Sequence, residues 1–596
     1  MKLPSPGFLL NAFTQVCRRF PATMLAAFTG VIVLVLLLER GNSSNEDLLA
    51  RIWMAAQLGL ALLTGLLVFA EASDWSAGRK GLVQGIGVAA LAAYGWYLFE
   101  QPNAAFENLH LPRYMILLVV AHLFVSVAPY LNRRTVADFW EYNRRLFANF
   151  VVGATFTMIL FAGLALAILA VDQLFDLNLS ERIYARLFIL LAGIFNTSYF
   201  LYHFPEKYEF DSQDASYNAV FRNLCKYILI PIVGLYFLIL YAYGAKIIGT
   251  WSLPRGWVGS LVIGFSVAGI FTYLLNFYLP QFDDSKLVNL YKKWFWWIVL
   301  PLTVLLFVAI GTRISDYGVT EPRFIVTQIG LWLAITCLYF LFSKSDNIKF
   351  IPISLGLIAL SIAVGPLNAF SVAKRSQAGI VKNILEKNGR WENGRLKQGS
   401  APMLQSEREQ VISALQFLDR RGHLEHADWL PMPLDSFQHI TTSYTNAGRI
   451  MDWLGLKGES VSETYTLNIQ GYQNYGPTDI RGFTQYYPIS LTGYREARAI
   501  SGYYFERSAD GRKIIWLQVK NQNTSAVDSF DLKPVMTSWR NQAPGNYLEL
   551  TPETATLNLS GAKGSLRIRV ADAQIEEVKG ALQVNYLNGQ LFLKER

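Results

Sequence analysis

The chain has 596 residues, of which 52% are hydrophobic and 16% are charged, and its mean hydropathy is +0.26. Soluble proteins carry about a quarter charged residues, so this composition excludes an ordinary soluble protein and predicts insertion into a membrane. The net charge of +9 does not indicate a nucleic-acid-binding protein, because the basic residues fall in small groups beside apolar segments and form no basic arm.

Apolar segments of membrane-spanning length recur from residue 21 to residue 370. Because about 20 apolar residues cross the hydrocarbon core as a helix, the sequence predicts about eleven transmembrane helices. Their predicted bounds are 21–38, 52–70, 81–99, 114–130, 147–171, 183–202, 224–243, 257–279, 294–310, 324–342 and 350–370.

Lys and Arg are unevenly distributed over the short loops, and this bias predicts orientation, since basic loops stay in the cytoplasm. The basic pairs in alternate loops include Arg18 and Arg19, Arg79 and Lys80, Arg144 and Arg145, and Lys292 and Lys293. We therefore expect the N-terminus in the cytoplasm and, with an odd number of spans, the C-terminal region outside. The first apolar segment ends without a small-residue cleavage site, so we expect it to remain as a signal anchor.

The composition becomes polar after the last span, over a length that suits a domain with its own core. We predict that residues 374–460 form a helical linker and the start of this domain. Ser406 and Glu409 have the spacing of a capping box, and Gly422 and Gly455 would end two helices. Residues 461–596 predict a mainly β domain, in which Asn588-Gly589 would form a hairpin turn between residues 582–587 and 590–594. The predicted fold is thus an all-α polytopic transmembrane bundle, residues 1–373, followed by a C-terminal α+β soluble domain with an antiparallel sheet.

Charged residues crowd between the ninth and tenth predicted spans, and such a cluster is the first place to look for function in a membrane protein. We expect the ninth helix to break at Gly311 into a short loop. The candidate site residues of this loop are Arg313, Asp316, Tyr317, Glu321 and Arg323. They could clamp an anionic headgroup or solute, or pair with one another and fix the loop. Pairing is favoured, because ion pairs at helix ends need no ligand.

A second candidate cluster, Glu141, Arg144 and Arg145, precedes the fifth predicted span. Arginine residues beside the membrane are attracted to anionic lipid, so this cluster predicts a lipid contact. The orientation signal of positive loops would also account for it.

A candidate intramembrane path consists of Asn196, Tyr227 and Tyr241, near the helix bends expected at Pro231 and Pro301. One hypothesis is that these residues line a path for a substrate. Tyrosines at the membrane interface and between helices are the more common structural reason for such residues, and we favour that interpretation.

We expect no metal, no cofactor and no catalytic residue. The loose group formed by His423, Glu425, His426 and Asp428 lacks the HExxH arrangement, and a solvated helix end is the favoured interpretation. The chain also has no phosphate-binding GxxxxGK[ST] loop and no GxSxG elbow, so an enzyme is not the favoured class.

Several short motifs occur in a fixed order through the membrane part. They are FNTSYFL at 195–201, YILIP at 227–231, ILYAY at 239–243, WSLPRGW at 251–257, YGVTEPR at 317–323 and PLNAF at 366–370. With these motifs the chain resembles a family of bacterial multi-pass membrane proteins that is catalogued as domain of unknown function 4153. The resemblance implies a bacterial cytoplasmic (inner) membrane location and a polar C-terminal region, and it implies no reaction, ligand or catalytic residue.

The leading functional hypothesis is a non-enzymatic envelope protein that anchors a C-terminal partner- or ligand-binding domain or relays its state. A transporter of a small or lipid-like anionic solute is the alternative, and a membrane enzyme acting on lipid-linked substrates is a weaker one. The expected partners are the lipid bilayer, including anionic lipid, and an envelope protein or small solute. A cavity reaching the bends at Pro231 and Pro301 would favour transport, whereas a filled bundle with a groove on the C-terminal domain would favour the binding module.

Overall fold

The computed structural model describes residues 6–40, 46–101, 109–131, 135–210, 222–250, 257–281, 285–343, 345–399, 403–425, 427–433, 436, 445–456, 465–471, 481–491, 503–508, 510–520, 523–543, 547–578 and 581–595. The chain forms two compact units, Met1–Leu456 and Lys457–Arg596. The predicted region 374–460 belongs, up to Leu456, to the first unit.

The first unit consists mainly of apolar helices. Their bounds are α1 Pro6–Arg19, α2 Pro21–Arg40, α3 Glu46–Ala72, α4 Ala77–Phe99, α5 Leu111–Val127, α6 Val136–Phe175, α7 Arg182–Leu190, α8 Asn196–Tyr202, α9 Ile230–Thr250, α10 Trp257–Leu275, α11 Lys286–Tyr317, α12 Glu321–Phe342 and α13 Phe350–Ala363. π-helical segments interrupt this pattern, among them Leu191–Phe195 between α7 and α8 and Leu224–Leu229 before α9. Among the described residues, 10 helical spans are long and apolar enough to cross a membrane. The predicted multi-pass bundle is therefore confirmed.

The eleventh predicted span, residues 350–370, is interrupted. Helix α13 has 14 residues and ends at Ala363, and the next helix, α14, begins at Ala369. The break follows from Gly365, whose φ is +94°, and from Asn368, whose side chain accepts a hydrogen bond from the Ser371 amide at 2.9 Å and so caps α14. The apolar run continues through this break, which is why hydropathy alone does not detect it.

The predicted break at Gly311 is wrong, because α11 continues to Tyr317. A glycine inside a helix costs only about 1 kcal/mol relative to alanine and does not by itself end the helix. The helix ends instead before Gly318, which has a φ of +70°, a conformation that glycine adopts without strain. The connection to α12 is thus the short segment 318–320.

Aromatic side chains fill the bundle between α10, α11 and α12. The rings of Trp296 and Phe340 stack with centroids 4.7 Å apart, and Tyr273 lies 5.2 Å from Trp296 and 5.5 Å from Phe295. Phe295 is fully buried. This side of the bundle is therefore closely packed.

A helical segment, residues 369–456, completes the first unit. It contains α14 Ala369–Lys387, β1 Trp391–Glu392, β2 Arg395–Leu396, α15 Gln405–Arg420 and α16 Asn446–Trp453. The predicted capping box is wrong, because α15 begins at Gln405 and Ser406 already lies in its first turn. Gly422 and Gly455 follow the two helices with φ values of +66° and +64°, as predicted.

The second unit is mainly β. Its elements are β3 Tyr465–Gln470, β4 Gln485–Leu491, β5 Tyr503–Arg507, β6 Lys513–Lys520, β7 Asn523–Asp531, α17 Lys533–Gln542, β8 Tyr547–Glu549, β9 Thr556–Ser560, β10 Gly564–Val578 and β11 Ala581–Glu595. One sheet has the order β4-β11-β10-β3-β8, with β9 also paired to β10, and the other has the order β5-β6-β7. All pairs are antiparallel except β3 with β8, so the predicted antiparallel sheet is confirmed.

The predicted turn at Asn588-Gly589 is wrong, because both residues lie inside the continuous strand β11. Gly589 pairs with Val570 and Asn588 pairs with Asp572, and the register shifts between these two pairs. A Cβ on Gly589 would lie 2.1 Å from the Arg569 carbonyl oxygen, so the glycine permits close approach of two backbones at a bulge. The hairpin instead closes after Val578, which pairs with Ala581.

Candidate functional site

The first unit contains a cavity of about 860 Å³ whose walls are mainly apolar. The walls are formed by residues of α2, α3, α5, α6, α8, α10, α12 and α13 and of the π-helical segment before α8. The polar residues that line it are Thr23, Thr64, His122, Ser126, Asn143, Arg144, Asn196 and Thr197. An apolar cavity of this size with a few polar groups is typical of ligand sites, which measure about 300–1,000 Å³.

The cavity lies toward one end of the bundle. It is lined by the C-terminal part of α5 from His122 and by the N-terminal part of α6 up to Phe150, and these two parts flank the connection at 131–135. It is also lined by the beginning of α13, which follows the connection at 343–349. The cavity is therefore closer to the membrane face on which these two connections lie.

Hydrogen bonds between α5 and α6 hold one polar wall of the cavity. The Ser126 hydroxyl donates to Asn143 Oδ1 at 2.6 Å, and Asn143 Nδ2 donates to the carbonyl oxygens of Ser126 at 3.2 Å and Phe139 at 2.9 Å. One turn earlier on α5, His122 Nδ1 donates to the Leu118 carbonyl oxygen at 2.8 Å. Nδ1 therefore carries a proton, because a carbonyl oxygen can only accept.

Of the cluster Glu141, Arg144 and Arg145, Arg144 is part of the cavity wall. Glu141 is buried and accepts 2.7 Å hydrogen bonds from Nε and Nη2 of Arg144 and from Nε of Arg145. Arg145 also lies over the Phe210 ring, 4.4 Å from its centroid. Glu141 thus bridges two guanidinium groups, and both arginines have further interactions. The contact of this cluster with anionic lipid stays a prediction.

Asn196 lines the cavity directly after the π-helical segment. Two glycines allow neighbouring helices to approach closely here. A Cβ on Gly153 of α6 would lie 2.9 Å from Asn196 Oδ1, and a Cβ on Gly193 would lie 2.1 Å from Val31 Cγ2 of α2. π-helical segments often occur at functional sites. In the part of the chain that the structure describes, the Asn196 carboxamide has no hydrogen-bond partner, so it is available to a ligand.

The other two residues of the predicted intramembrane path do not line this cavity. Tyr227 is 63% exposed, and Tyr241 donates from its hydroxyl to the Ile298 carbonyl oxygen at 2.8 Å. None of the described lining residues belongs to α9 or α11, the helices that contain Pro231 and Pro301. The structure thus brings Asn196 together with Arg144 and leaves the two tyrosines elsewhere.

The predicted loop cluster connects the membrane helices to the helical segment. Glu321 is buried and forms a bidentate pair with Arg421, with Nε–Oε1 and Nη2–Oε2 distances of 2.6 and 3.0 Å. Arg323 Nη1 donates to the carbonyl oxygens of Gly318 at 2.7 Å and Tyr317 at 3.1 Å. These contacts involve no ligand.

The helical segment makes four further hydrogen bonds at this connection, one of them from Gln410 Nε2 to the Asp316 carbonyl oxygen at 2.9 Å. Gln377 Nε2 donates to the carbonyl oxygens of Tyr317 and Val319, and the Val319 amide donates to Ser376 Oγ at 2.9 Å. The side chains of Arg313 and Asp316, by contrast, do not pair with each other in the described part of the chain. Of the pairing expected among the loop residues, Arg323 thus contacts Tyr317, whereas Glu321 pairs with Arg421 of the helical segment.

Among the described residues, no group of three or more His, Cys, Asp or Glu side chains could hold a metal ion. His423, Glu425 and Asp428 belong to this described part, whereas His426 lies outside it.

Sequence reasoning missed most of the cavity. The pair Thr23 and Thr64, with hydroxyl oxygens 3.3 Å apart, and the pair Ser126 and Asn143 each join two different spans. A signal was present in the one-turn spacing of His122 and Ser126 on a single helix face. Nothing in the sequence indicates which other helix that face contacts.

Comparison with known proteins agrees with this architecture. A family described as "Domain of unknown function (DUF4153)" matches residues 18–389. The chain belongs to this family. The match covers every helix from α2 to α14, and with them the cavity, so the resemblance inferred from the short motifs is confirmed. The chain is accordingly a multi-pass membrane protein.

One relative is the Uncharacterized protein PM1469 of Pasteurella multocida (strain Pm70), which is 30% identical over 181 residues. The matched part is 30% of this chain and 30% of that protein, so the chain spans about three tenths of its relative's length. No solved structure matches the chain.

Proposed function

We propose that the membrane unit binds an amphiphile in its cavity and moves it into or out of the adjacent leaflet. The amphiphile has an apolar body and a polar, anionic head. The observation that carries this proposal is the 860 Å³ apolar cavity with a few polar groups in its wall, among them Arg144. Hydrocarbon chains match the apolar walls, and the Arg144 guanidinium suits an anionic head.

This proposal takes up the alternative hypothesis from the sequence, a transporter of a lipid-like anionic solute, with a different path. The sequence placed the path at the bends near Pro231 and Pro301. The cavity supports a path between α5, α6, α8 and α10 instead. The location that we expect is the bacterial cytoplasmic (inner) membrane, with the N-terminus in the cytoplasm and the cavity in the cytoplasmic leaflet.

The test is the identification of the bound amphiphile in the full-length protein. The protein is extracted with native lipids, and native mass spectrometry measures the species that remain bound. Ala192→Phe, on the cavity wall, should reduce the bound amphiphile at least about tenfold, because a phenyl ring occupies the space of the ligand. Ala167→Phe, on an exposed face of α6 that does not line the cavity, should leave it unchanged.

A second variant separates loss of binding from misfolding. Asn196→Leu keeps the side-chain volume and removes the carboxamide, so we expect a folded protein with altered headgroup selection. Retention of the same amphiphile by both Ala192→Phe and Asn196→Leu, with wild-type thermal stability, would contradict the proposal.

A second candidate function, the relay of a state to the C-terminal unit, is supported by the contacts of the helical segment. Glu321 and Arg421 join α12 to the residues after α15, and Ser376 and Gln377 of α14 bind the connection at 318–320. A movement of α11 against α12 would therefore be transmitted to the helical segment, which continues into the C-terminal unit. Binding of the amphiphile should then change hydrogen exchange in α15. Unchanged exchange with the cavity occupied would exclude this relay.

A further inference from the structure

A second group of polar residues occupies the opposite end of the bundle from the cavity. It lies where α3 and α5 begin and where α4 ends. We call it the donor cluster, and its members are Arg51, Tyr94, Tyr97, His110 and Arg113. It shares no residue with the cavity wall.

Direct contacts hold the donor cluster together. Arg113 Nη1 donates to the Tyr97 hydroxyl at 3.2 Å, and the rings of Tyr97 and His110 lie 5.6 Å apart. Arg51 is only 5% exposed, and its Nη1 donates to the Phe99 carbonyl oxygen at 2.6 Å. The three helices α3, α4 and α5 therefore direct basic and hydroxyl groups to one place.

Several polar atoms of this cluster are buried without a hydrogen bond. They are Tyr94 Oη, His110 Nδ1 and Arg113 Nε, all within the part of the chain that the structure describes. His110 as a whole is only 4% exposed. Buried polar atoms are almost always paired. Arg113 Nε can only donate, and the tyrosine hydroxyl and the imidazole are able to donate, so these three unpaired atoms indicate that an acceptor is missing from the cluster.

The charge of the cluster indicates the sign of the missing group. Arg51 and Arg113 are cationic, and burial together with Arg113 and Arg51 lowers the pKa of His110, which precedes the span, to about 4. His110 is therefore neutral at pH 7 and can donate from one ring nitrogen, and an anion beside it would be attracted by the Arg113 guanidinium. Arg51 has other interactions as well, so Arg113, His110 and Tyr94 are the essential groups.

We propose that the donor cluster binds a phosphate group, either as the free oxyanion or as part of a lipid headgroup. A phosphate presents several acceptor oxygens in different directions, which matches donors that converge from three helices. A headgroup source is compatible with the position of the cluster at the ends of membrane spans. The site is independent of the amphiphile cavity, and either proposal can fail without the other.

The test uses the full-length protein in maltoside micelles, which carry no phosphate. Two probes are compared by calorimetry and native mass spectrometry: inorganic phosphate and phosphatidylglycerol. Binding of inorganic phosphate identifies the free oxyanion, and binding of phosphatidylglycerol alone identifies the headgroup. Arg113→Gln should weaken the binding of the active probe at least about tenfold, because it removes a charge-assisted hydrogen bond.

Tyr94→Phe and Arg79→Gln complete the design. Tyr94→Phe removes a hydroxyl that is unpaired without ligand, so it should weaken probe binding while leaving the thermal stability of the ligand-free protein unchanged or higher. Arg79→Gln alters an exposed arginine near the other end of α4 and should have no effect. The proposal is overturned if neither probe binds to the folded protein, or if Tyr94→Phe lowers stability without changing binding.

Discussion

The ion pair between Glu321 and Arg421 allows the most direct test of how the membrane helices hold the helical segment. Both side chains are largely shielded from water, with side-chain exposures of 6% for Glu321 and 18% for Arg421. The Arg421 guanidinium also lies over the Phe417 ring, 3.8 Å from its centroid. Glu321→Gln would leave this guanidinium buried without its carboxylate.

The expected size of the effect follows from the burial of the pair. Removal of one partner of a buried ion pair destabilises a protein by about 3–5 kcal/mol, because the remaining charge is left without compensation. The partial exposure of Arg421 places this pair at the lower end, about 3 kcal/mol, which corresponds to roughly a hundredfold change in the opening equilibrium of the helical segment. The double variant Glu321→Gln with Arg421→Met removes both charges and should recover most of this loss.

Hydrogen exchange measured by mass spectrometry on the full-length protein is the suitable assay, because it reports local opening without global unfolding. Peptides from α15 and the connection at 318–320 should exchange faster in Glu321→Gln and return toward the wild-type rate in the double variant. The matched control is Glu392→Gln, which breaks an equally short 2.6 Å pair with Lys397 whose two side chains are each 57% exposed. Equal exchange rates in Glu321→Gln and Glu392→Gln would refute the reasoning from burial.

Two further predictions concern a glycine and a histidine. Gly589→Ala should destabilise the C-terminal unit by about 2–3 kcal/mol, because its Cβ would lie 2.1 Å from the Arg569 carbonyl oxygen. Chemical denaturation of this variant and the wild type measures the loss. Burial, with Lys374 and Arg421 nearby, lowers the pKa of His423 from 6.5 to about 4, so the unfolded segment binds the proton first as the pH falls. Stability of the helical segment should therefore be constant above about pH 6.5 and decrease between pH 6.5 and 4. His423→Gln should remove this dependence in hydrogen exchange corrected for intrinsic rates.

Hydropathy predicted the membrane helices because each span is long, apolar and determined by local composition. The predictions were wrong where one residue type can occupy two different backbone environments. Gly311 and Gly318 look alike in the sequence, but only Gly318 adopts a positive φ and ends α11. Asn588-Gly589 has the composition of a hairpin turn, yet Gly589 is required for close backbone approach at a bulge inside a long strand.

The candidate site was harder to predict than the fold, because it depends on contacts between distant spans. Asn196 could be identified as a polar residue inside a span, and Arg144 as part of a basic cluster. Their presence on one cavity wall requires the packing of α6 against α8, which Gly153 permits. Gly193 permits the close approach of the π-helical segment to α2. The partner of Glu321 was equally hidden, since Arg421 lies 100 residues further along the chain.

The short helix α13 determines on which side of the membrane the chain ends. It begins after the end of α12, yet Ser376 and Gln377 of the following helix bind the connection that precedes α12. The chain must therefore travel from one end of α12 to the other between residues 343 and 376, although the 14 residues of α13 cover only about 21 Å as a helix.

We accordingly expect α13 to cross the membrane, and reporters fused after Ser345 and after Arg596 to lie on opposite sides. A phosphatase that is active only outside the cytoplasm should be active after Arg596 and inactive after Ser345, and a fluorescent protein that folds only in the cytoplasm should give the reverse result. If both positions report the same side, α13 does not cross the membrane, and our expectation from the length of α12 is wrong.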